Sequence, residues 1–452
     1  MSTQTQWNDL SWEEKREDRF NRWLHPPVTF SSAEAENKYR QRVTRFIKAI
    51  KLQEPDRVPV MLPAGNIPAY HAGDNLKTVM YDYEAMRRAW TAFIHEFDMD
   101  TFIGPGLVMP GKVLEKIDFK LLKWPGHGLA DDIETYQYVE KEYIGADEYD
   151  AIIKDPSDFW LRHFLPRAAG AFEPFRKLPQ LTAFVGIPVF YISYFADPEV
   201  QQAYRTLMEA ADETMKWMQA VGAVNREALE SGLPSLGGGF SGAPFDMIGD
   251  MLRGTRAIMM DMYRRPEKLQ EAMERLVPIA VDDAVATADA TGCPIVMMPL
   301  HKGTGGFMSN RQFETFYWPT FKKLLLGMIQ EGLVPMPFAE GDYGERLEII
   351  KDLPRGSMIW WFEHMDMARA KEVLGDTACI AGNIPVTALC TSTPDDIEHR
   401  CRSLIETCAA GGGYILTGSA TMDRGNVDNL RAVMDAAVRY GQYPLRSYIE
   451  VG

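Results

Sequence analysis

The sequence predicts an α/β fold, namely a (β/α)8 TIM barrel with an N-terminal helical extension. The main observation is a set of five apolar runs in the second half of the chain, each ending at a polar residue and followed by a helical pattern. Such runs alternating with amphipathic helices are typical of buried parallel strands. In addition, no Pro-, Gly- or Ser-rich linker divides the chain, which favours one barrel domain. The five runs are residues 294–300, 334–339, 357–362, 378–382 and 414–418.

The first half of the chain supplies the other predicted elements. Residues 1–54 contain two charged amphipathic segments and are predicted to form the helical extension, whereas residues 55–452 form the barrel. The segments 117–124 and 135–143 predict a β-hairpin over the barrel mouth. Further strands are predicted at 57–62, 100–103, 180–189 and 235–240. Together with the five runs they exceed the eight places of a barrel, so one is expected to be a cap or edge strand.

Composition narrows the class of protein. The net charge of −15 counts against nucleic acid as a partner, because phosphate binding needs a basic face. No run approaches the roughly 20 apolar residues that span a membrane. The five cysteines form no CxxC pair, which is typical of reduced thiols. We therefore expect a cytoplasmic enzyme that neither binds nucleic acid nor enters a membrane.

Polar residues follow the five runs at the end where a barrel places its active site. We predict His301, Glu340 and Glu363 as catalytic residues. A histidine at a strand end can also be a plain rim residue, and Glu340 could cap the helix that follows Gly341. An acid directly after an apolar run is costly without partners, however, and this favours a role in the site.

A family resemblance begins in the bend after residue 238. Residues 239–254, GFSGAPFDMIGDMLRG, resemble the corresponding segment of the uroporphyrinogen decarboxylase superfamily. The resemblance continues through 309–324, 366–385 and 412–416 and covers most of residues 55–445. The fold of that superfamily is a (β/α)8 barrel, in agreement with the pattern of strands.

The resemblance favours one of the two chemistries of the superfamily. Its decarboxylases carry an Arg-rich segment and an Asp after the first strand, where this chain has PAGN at 63–66. Its thiol methylases bind zinc through a His-x-Cys pair and a distant Cys, where this chain has Phe338-Ala339-Glu340 and Ser419. The segments HKGTGGFMS at 301–309 and PFAEGDYGERLE at 337–348 resemble the members that demethylate methoxylated aromatics in anaerobes.

The resemblance implies a corrinoid-dependent methyltransferase, an O-demethylase. Such an enzyme moves a methyl group from a small methylated substrate, here first a methoxylated aromatic, to the Co(I) of a separate corrinoid protein. Because the chain has no DxHxxG motif, the cobalamin is expected on the partner protein. The alternatives are decarboxylation of a tetrapyrrole-like acid, a methylthiol or methylamine donor, and a non-catalytic corrinoid-binding barrel. A homodimer is an option by analogy with the superfamily.

The implied chemistry suggests roles for the candidate residues. An aryl ether oxygen must be protonated or bound to a Lewis acid as its methyl group leaves, and His301, Glu340 and Glu363 are of the right types for either task. Zinc is a second candidate cofactor, held either by a His/Glu/Glu set or by His301, Glu340 and Cys379. A cysteine such as Cys379, next to a buried strand, is more often a small core residue than a ligand. The residues predicted to bind substrate are Tyr191, Phe240, Met298, His364 and Asn383.

Overall fold

The computed structural model describes residues 7–184 and 187–445. Its strands are β1 (Val60–Met61), β2 (Leu122–Pro125), β3 (Gly128–Leu129), β4 (Gln137–Tyr138), β5 (Gly239–Phe240), β6 (Ile295–Leu300), β7 (Val334–Asp342), β8 (Ile359–His364), β9 (Cys379–Ala381) and β10 (Tyr414–Thr417). Its α-helices of eight or more residues are Trp12–Leu24, Ala33–Ile50, Tyr83–Glu96, Pro198–Glu230, Gly254–Arg264, Pro266–Thr291, Trp318–Gln330, Met367–Leu374, Pro394–Cys408 and Val427–Tyr440.

Shorter helices and turns connect these elements. The short α-helices are Ile67–His71, Leu76–Tyr81, Gly111–Lys116, Tyr149–Lys154, Pro156–Phe159, Leu165–Ala168, Pro188–Ile192, Pro244–Ile248, Asn310–Gln312, Leu347–Ile350 and Val386–Thr391. The 3₁₀ turns are Pro105–Leu107, Gly170–Lys177, Leu181–Phe184, Ser193–Ala196 and Gly344–Arg346, and the π-helical turns are Trp160–Phe164, Gly249–Arg253 and Phe313–Tyr317.

The parallel sheet closes into the predicted barrel. Seven parallel strands follow one another in the order β1-β10-β9-β8-β7-β6-β5. Phe102 fills the eighth place through a parallel bridge to Ser235 on the β5 side. On the β1 side, the backbone N–H of Val60 donates to the carboxylate of Asp100 at 2.9 Å. The (β/α)8 fold class is therefore confirmed.

Asp100 connects β1 to the eighth strand position, which Phe102 occupies. We call this junction the seam of the barrel. The side chain of Asp100 is 1% exposed, and it accepts hydrogen bonds from Arg45 at 2.7 Å and from Arg57 at 2.6 and 2.7 Å. A buried carboxylate is tolerated only with such charged partners. These ion pairs replace the backbone ladder that joins neighbouring strands elsewhere in the barrel.

We expect Asp100→Asn to lower the free energy of unfolding by about 2 kcal/mol, since it weakens several charge-assisted hydrogen bonds at a buried position. Urea unfolding followed by circular dichroism measures the change. The neighbouring Asp98→Asn is the matched control, because Asp98 pairs with Arg42 while its own side chain is 82% exposed. Equal effects of the two substitutions would contradict the role of Asp100 in the seam.

The strands alternate between two apolar clusters. Side chains such as Ile295 and Ile359 pack with Phe46 of the N-terminal helices, whereas Val296 and Trp360 pack with the helices around the barrel. Because successive strand residues face opposite sides, the first set points into the barrel and the second points outward. The helices Trp12–Leu24 and Ala33–Ile50 cover the N-terminal ends of the strands, so the open mouth lies at the carboxyl ends.

The prediction of a barrel strand at 180–189 was wrong. Residues Leu181–Phe184 form a 3₁₀ turn and Pro188–Ile192 a short helix, while residues 185 and 186 lie outside the described range. The physical reason is that Phe102 pairs directly with the β5 segment, which leaves no place for another strand. Accordingly, the apolar side chains of Leu181, Val189 and Ile192 are exposed rather than buried.

The predicted β-hairpin lies beside the mouth. Strands β2 and β4 pair antiparallel, and β3 joins β2 at its other edge. The chain after β4 packs on the turn Gly249–Arg253, where the N–H of Tyr143 donates to the carbonyl of Leu252 at 2.9 Å and Arg253 pairs with Glu142. The hairpin is therefore attached to the turn that borders the mouth.

Within 7–184 and 187–445, every helix is too short or too polar to serve as a transmembrane segment.

Candidate active site

The polar residues predicted at the strand ends meet at the mouth. His301 directly follows β6, while Glu340 lies in β7 and Glu363 in β8. Alternate residues of a strand share one face, and His301, Glu340 and Glu363 alternate with the inward-facing Ile295, Phe338 and Trp361 of their strands. All three side chains therefore point into the mouth. The Nε2 atom of His301 lies 3.7 Å from Oε1 of Glu340. The Oε2 atom of Glu363 accepts the N–H of Gly341, the residue after Glu340, at 2.7 Å.

His301 is held by a carboxylate from outside the strands. Asp250 lies in the π-helical turn Gly249–Arg253, and its Oδ2 atom is 2.5 Å from Nδ1 of His301. Its other oxygen contacts the ammonium group of Lys302. Because Nδ1 is engaged by Asp250, the ring directs Nε2 toward Glu340. Single π-helical turns inside helices are frequent at functional sites, and this one places a carboxylate against a strand end.

The electrostatics of this pair make His301 a cation at neutral pH. The hydrogen bond to Asp250 raises the pKa of His301 to about 9, and this effect exceeds the opposing effect of burial. Burial acts to raise the pKa of Asp250, but the hydrogen bond from His301 and the charge of Lys302 outweigh it and leave that pKa below its ordinary value. The ring therefore carries protons on both nitrogens, and the Nε2 proton faces the mouth.

Asp246 fixes the backbone that carries His301. Its carboxylate is buried and accepts the backbone N–H of His301 at 3.1 Å, the N–H of Lys302 at 3.0 Å and the hydroxyl of Tyr317 at 2.6 Å. Burial and the charge of Asp250 raise its pKa to about 6. Asp246 thus positions the end of β6 without pointing into the mouth itself.

Glu340 has the environment of a proton donor. Burial raises its pKa, as does the charge of Glu363, while His301 acts in the opposite direction. Its side chain is 38% exposed, so it remains accessible to a ligand in the mouth. Gly341 follows with φ of +80°, a conformation that favours glycine, and a Cβ there would lie 2.7 Å from Oγ1 of Thr304. The tight backbone keeps Glu340 and Glu363 side by side.

A buried arginine holds the loop that follows His301. Arg346 is fully buried and donates to the carbonyl of Gly303 at 3.2 Å, to the carbonyl of Met308 and to the side chain of Asn310. These bonds fix residues 303–310 against the end of β7. The loop is therefore an ordered wall of the site.

Two of the residues predicted to bind substrate lie at the mouth. Phe240 pairs with Met297 in the β5–β6 ladder, so it points inward, and it is 68% exposed. Asn383 follows β9, and its amide donates to the carbonyl of Met365 at 2.9 Å and of Glu363 at 3.4 Å. Phe240 is thus available to a ligand, whereas the amide of Asn383 holds the end of β8.

The other three residues predicted to bind substrate do not point into the mouth. Met298 is fully buried among the outer helices, because it lies an odd number of residues from His301 and faces outward. His364 ends β8 on its outer side, with its side chain 73% exposed and its Nε2 atom 3.8 Å from Oε1 of Glu363. Tyr191 packs on Phe195, with ring centroids 5.5 Å apart, in the helical segment that replaced the predicted strand. Met298 and Tyr191 are therefore removed from the substrate-binding set.

Cys379 lies too far from His301 and Glu340 to bind the same metal ion. Its side chain faces into the barrel, and it pairs with Ile359, four residues before Glu363. At ~3.3 Å per residue, Cys379 therefore lies about 13 Å below Glu363. Burial raises the pKa of its thiol. Among the residues that the structure describes, no three His, Cys, Asp or Glu side chains are arranged as a metal site. The predicted zinc ligands therefore do not fit zinc, and we assign it no step.

Three residues of the site were missed from the sequence: Asp246, Asp250 and Lys302. The signal for the first two is their spacing in PFDMIGDM, since residues four apart lie on one face of a helix. Two acids on one face of an otherwise apolar segment are costly without partners, which also indicates a site. Lys302 is adjacent to His301, but its burial could not be inferred from sequence.

Comparison with known proteins identifies the family. Residues 178–440, more than half of the chain, match the family model described as Uroporphyrinogen decarboxylase (URO-D), and this range contains β5 to β10 with the whole His301 cluster. The uroporphyrinogen decarboxylase of Geobacter sp. (strain M21) is 26% identical over 196 residues, 42% of this chain and 55% of that protein. That of Psychromonas ingrahamii is 26% identical over 207 residues, 44% and 56% respectively. The matched part thus spans about half the length of these relatives.

A solved structure matches over a longer range. A methyltransferase from Methanosarcina mazei superposes with a TM-score of 0.55 over 88% of this chain and 98% of that chain, at 13% sequence identity. At this identity the match shows a shared fold. It extends the similarity of fold to the N-terminal half of the barrel.

Proposed function

This chain belongs to the uroporphyrinogen decarboxylase (URO-D) family, and within that family we propose that it is a methyltransferase. In this proposal it moves the methyl group of a small methoxylated aromatic to the Co(I) of a separate corrinoid protein. The observation that carries the proposal is the position of His301 at the mouth, with Nδ1 2.5 Å from Asp250 and Nε2 3.7 Å from Glu340, an arrangement that raises the pKa of His301 to about 9. Such a pair supplies a proton where an ether oxygen becomes a phenol.

The reaction balances with one proton. Co(I) attacks the methyl carbon, the C–O bond breaks with its electron pair remaining on oxygen, and the cobalt ends as Co(III)–CH3. The phenolate oxygen takes up a proton and leaves as a phenol. Because phenols have a pKa near 10, a donor with a pKa of about 9 is well matched to this leaving group.

His301 and Glu340 divide the work in this proposal. The imidazolium of His301 is the source of the proton, and Asp250 keeps that ring charged and oriented. The carboxylate of Glu340 relays that proton: it takes the proton from Nε2 of His301 and passes it to the ether oxygen as the C–O bond breaks. The gap of 3.7 Å between the two side chains is compatible with this exchange, because catalytic hydrogen bonds often tighten only when substrate is bound.

The mouth is poorly suited to the alternative of tetrapyrrole decarboxylation. Several substrate carboxylates would require cations, but residues 63–66 after β1 are PAGN, and Asn66 donates its N–H to the carboxylate of Asp423 at 2.9 Å. The cations at the end of β6, His301 and Lys302, are both bound by Asp250. An acidic mouth is unfavourable for a polyanionic substrate.

Apolar side chains exposed around the mouth support a protein partner. Phe240 is 68% exposed, Met251 43% and Tyr138 65%, and Met251 directly follows Asp250. Exposed apolar side chains of this kind, rimmed by polar groups, are common at sites that another protein covers. In this proposal the corrinoid protein covers the mouth and presents its cobalt to the methyl group.

The test is methyl-cobalt formation, followed by absorbance, with Co(I) cobalamin and a panel of methoxybenzenes. We expect turnover with a methoxybenzene only when Co(I) cobalamin or a corrinoid protein is added, and purified enzyme without bound cobalt. Methanethiol, methylamine and uroporphyrinogen are the comparison substrates. Turnover of one of these in place of the methoxybenzenes, or stoichiometric cobalt in the isolated chain, would overturn the proposal.

A further inference from the structure

The carboxylates at the mouth outnumber the cations. The charges with the largest effect on the pKa of Glu340 are those of one cation, His301, and of three carboxylates, Glu363, Asp246 and Asp250. Lys302 adds a second cation, whose ammonium group contacts Asp250. Four carboxyl groups and two cations therefore share the space at the ends of β6, β7 and β8.

The cations of this group are already paired. Asp250 engages Nδ1 of His301 through one oxygen and the ammonium of Lys302 through the other. Lys302 is 7% exposed, so its charge is not presented to a ligand. The side chain of His301 is 44% exposed, but Asp250 binds its Nδ1 and Glu340 lies 3.7 Å from its Nε2, whereas the carboxylates of Glu340 and Glu363 are 38% and 30% exposed. A ligand therefore meets two carboxylates and an imidazolium that is already engaged by carboxylates.

On the opposite rim of the mouth, a carboxyl group lies next to an arginine that is already paired. Asp423, between β10 and the helix Val427–Tyr440, is a further carboxylate there, and burial together with the charge of Glu134 raises its pKa. The neighbouring Arg424 is paired with Glu134. This rim therefore contributes a further acidic group and no new charge from Arg424, which Glu134 balances.

Aromatic rings lie between the two rims. Phe240 points inward and is largely exposed. Burial raises the pKa of Tyr138 of the hairpin, and the charges of Asp250 and Glu340 act in the same direction. Aromatic faces next to carboxylates attract organic cations through cation–π interaction and direct charge attraction.

From this arrangement we infer that the methyl donor carries no negative charge and that a protonated amine on its ring strengthens binding. The inference rests on the proposed function and specifies its substrate class as neutral or aminoalkyl-substituted methoxyarenes rather than methoxybenzoates. A carboxylate brought between Glu340 and Glu363 would meet two like charges, and juxtaposed like charges weaken binding strongly. The exposed cation beside them, His301, is already bound by Asp250 and faces Glu340.

The test measures binding, not turnover, with three matched ligands: 3-methoxybenzylamine, 3-methylanisole and 3-methoxybenzoate. Isothermal titration calorimetry at neutral pH gives a dissociation constant for each with the full chain and without corrinoid. We expect the amine to bind at least about tenfold more tightly than the carboxylate, with the neutral ether between them. Equal or tighter binding of the carboxylate, or no binding of any of the three, would overturn the inference.

Two variants localise the effect to the mouth. Glu363→Gln keeps the acceptor for the N–H of Gly341 but removes one charge, and it is expected to narrow the preference for the amine over the carboxylate severalfold. Glu372→Gln removes the same charge from the outer helix Met367–Leu374, where Glu372 pairs with Arg369, and should leave the preference unchanged. An equal change in both variants would mean that the net charge of the protein, rather than the mouth, sets the preference.

The binding order and the proposed reaction can fail separately. If the amine binds best but no ligand transfers its methyl group to Co(I) cobalamin, the charge selection stands and the proposed reaction is wrong. If 3-methoxybenzoate is demethylated fastest and binds most tightly, the reaction stands and the substrate class is wrong.

Discussion

Glu340→Gln is expected to lower the rate of methyl transfer to Co(I) by roughly 10²-fold, the usual scale for the loss of a positioned acid. The amide keeps the shape and the hydrogen bonding of the side chain but has neither the charge nor a proton to transfer. The rate per folded molecule should be measured with a methoxybenzene and excess Co(I) cobalamin. Thermal unfolding should be followed on the same samples.

A structural role for Glu340 predicts a different outcome. In that case the melting temperature falls by a few degrees and the rate per folded molecule stays near wild type. Glu348→Gln is the matched control, because Glu348 lies on the outer helix Leu347–Ile350 and pairs with Lys351 and Arg369. A near-wild-type rate in Glu340→Gln would remove Glu340 from the mechanism and leave proton donation to His301 alone.

Asp250→Asn is expected to shift the alkaline limb of the pH–rate profile downward by more than two pH units. Asp250 raises the pKa of His301 to about 9, and without its charge the pKa should return toward the ordinary value near 6.5. At pH 8 the protonated fraction of His301, and with it the rate, should then fall about 30-fold, whereas near pH 6 the loss should be small.

The sign of the effect separates electrostatics from misfolding. The raised pKa means that the charged His301 stabilises the native state fully below about pH 6.5, and that this contribution is lost as pH rises through about 9. A variant that merely disturbs the fold would lose activity equally at pH 6 and pH 8. Asp352→Asn, at an exposed aspartate that pairs with Lys322, is the control and should keep the wild-type profile.

Much of the fold follows from patterns that are local in the chain. The apolar runs before His301, Glu340 and Glu363 predicted parallel strands, and β6, β7 and β8 lie where these runs are. The segment 180–189 has the same apolar character but forms helical turns. Its composition is compatible with a strand. The barrel has no place for that strand because Phe102 pairs directly with Ser235, a residue far away in sequence.

Among the metal and substrate predictions that failed, Met298 and Cys379 did so for different reasons. Met298 is three residues from His301, and the two-residue period of a strand places them on opposite faces, so this correction was present in the sequence. Cys379 has the correct face but lies too deep, since it pairs with Ile359 rather than with a mouth residue. Depth depends on the register between strands, which only the assembled barrel defines.

The sequence by itself determined the barrel, its open end and the presence of His301, Glu340 and Glu363 there, because alternation along a strand and the convergence of parallel strands are properties of short-range backbone geometry. Only the tertiary structure decided that Asp250 reaches His301, 51 residues away, and that this contact keeps the ring protonated. The physical reason is that a pKa depends on distances between charges within a few ångströms, and packing sets those distances between segments that no local pattern connects.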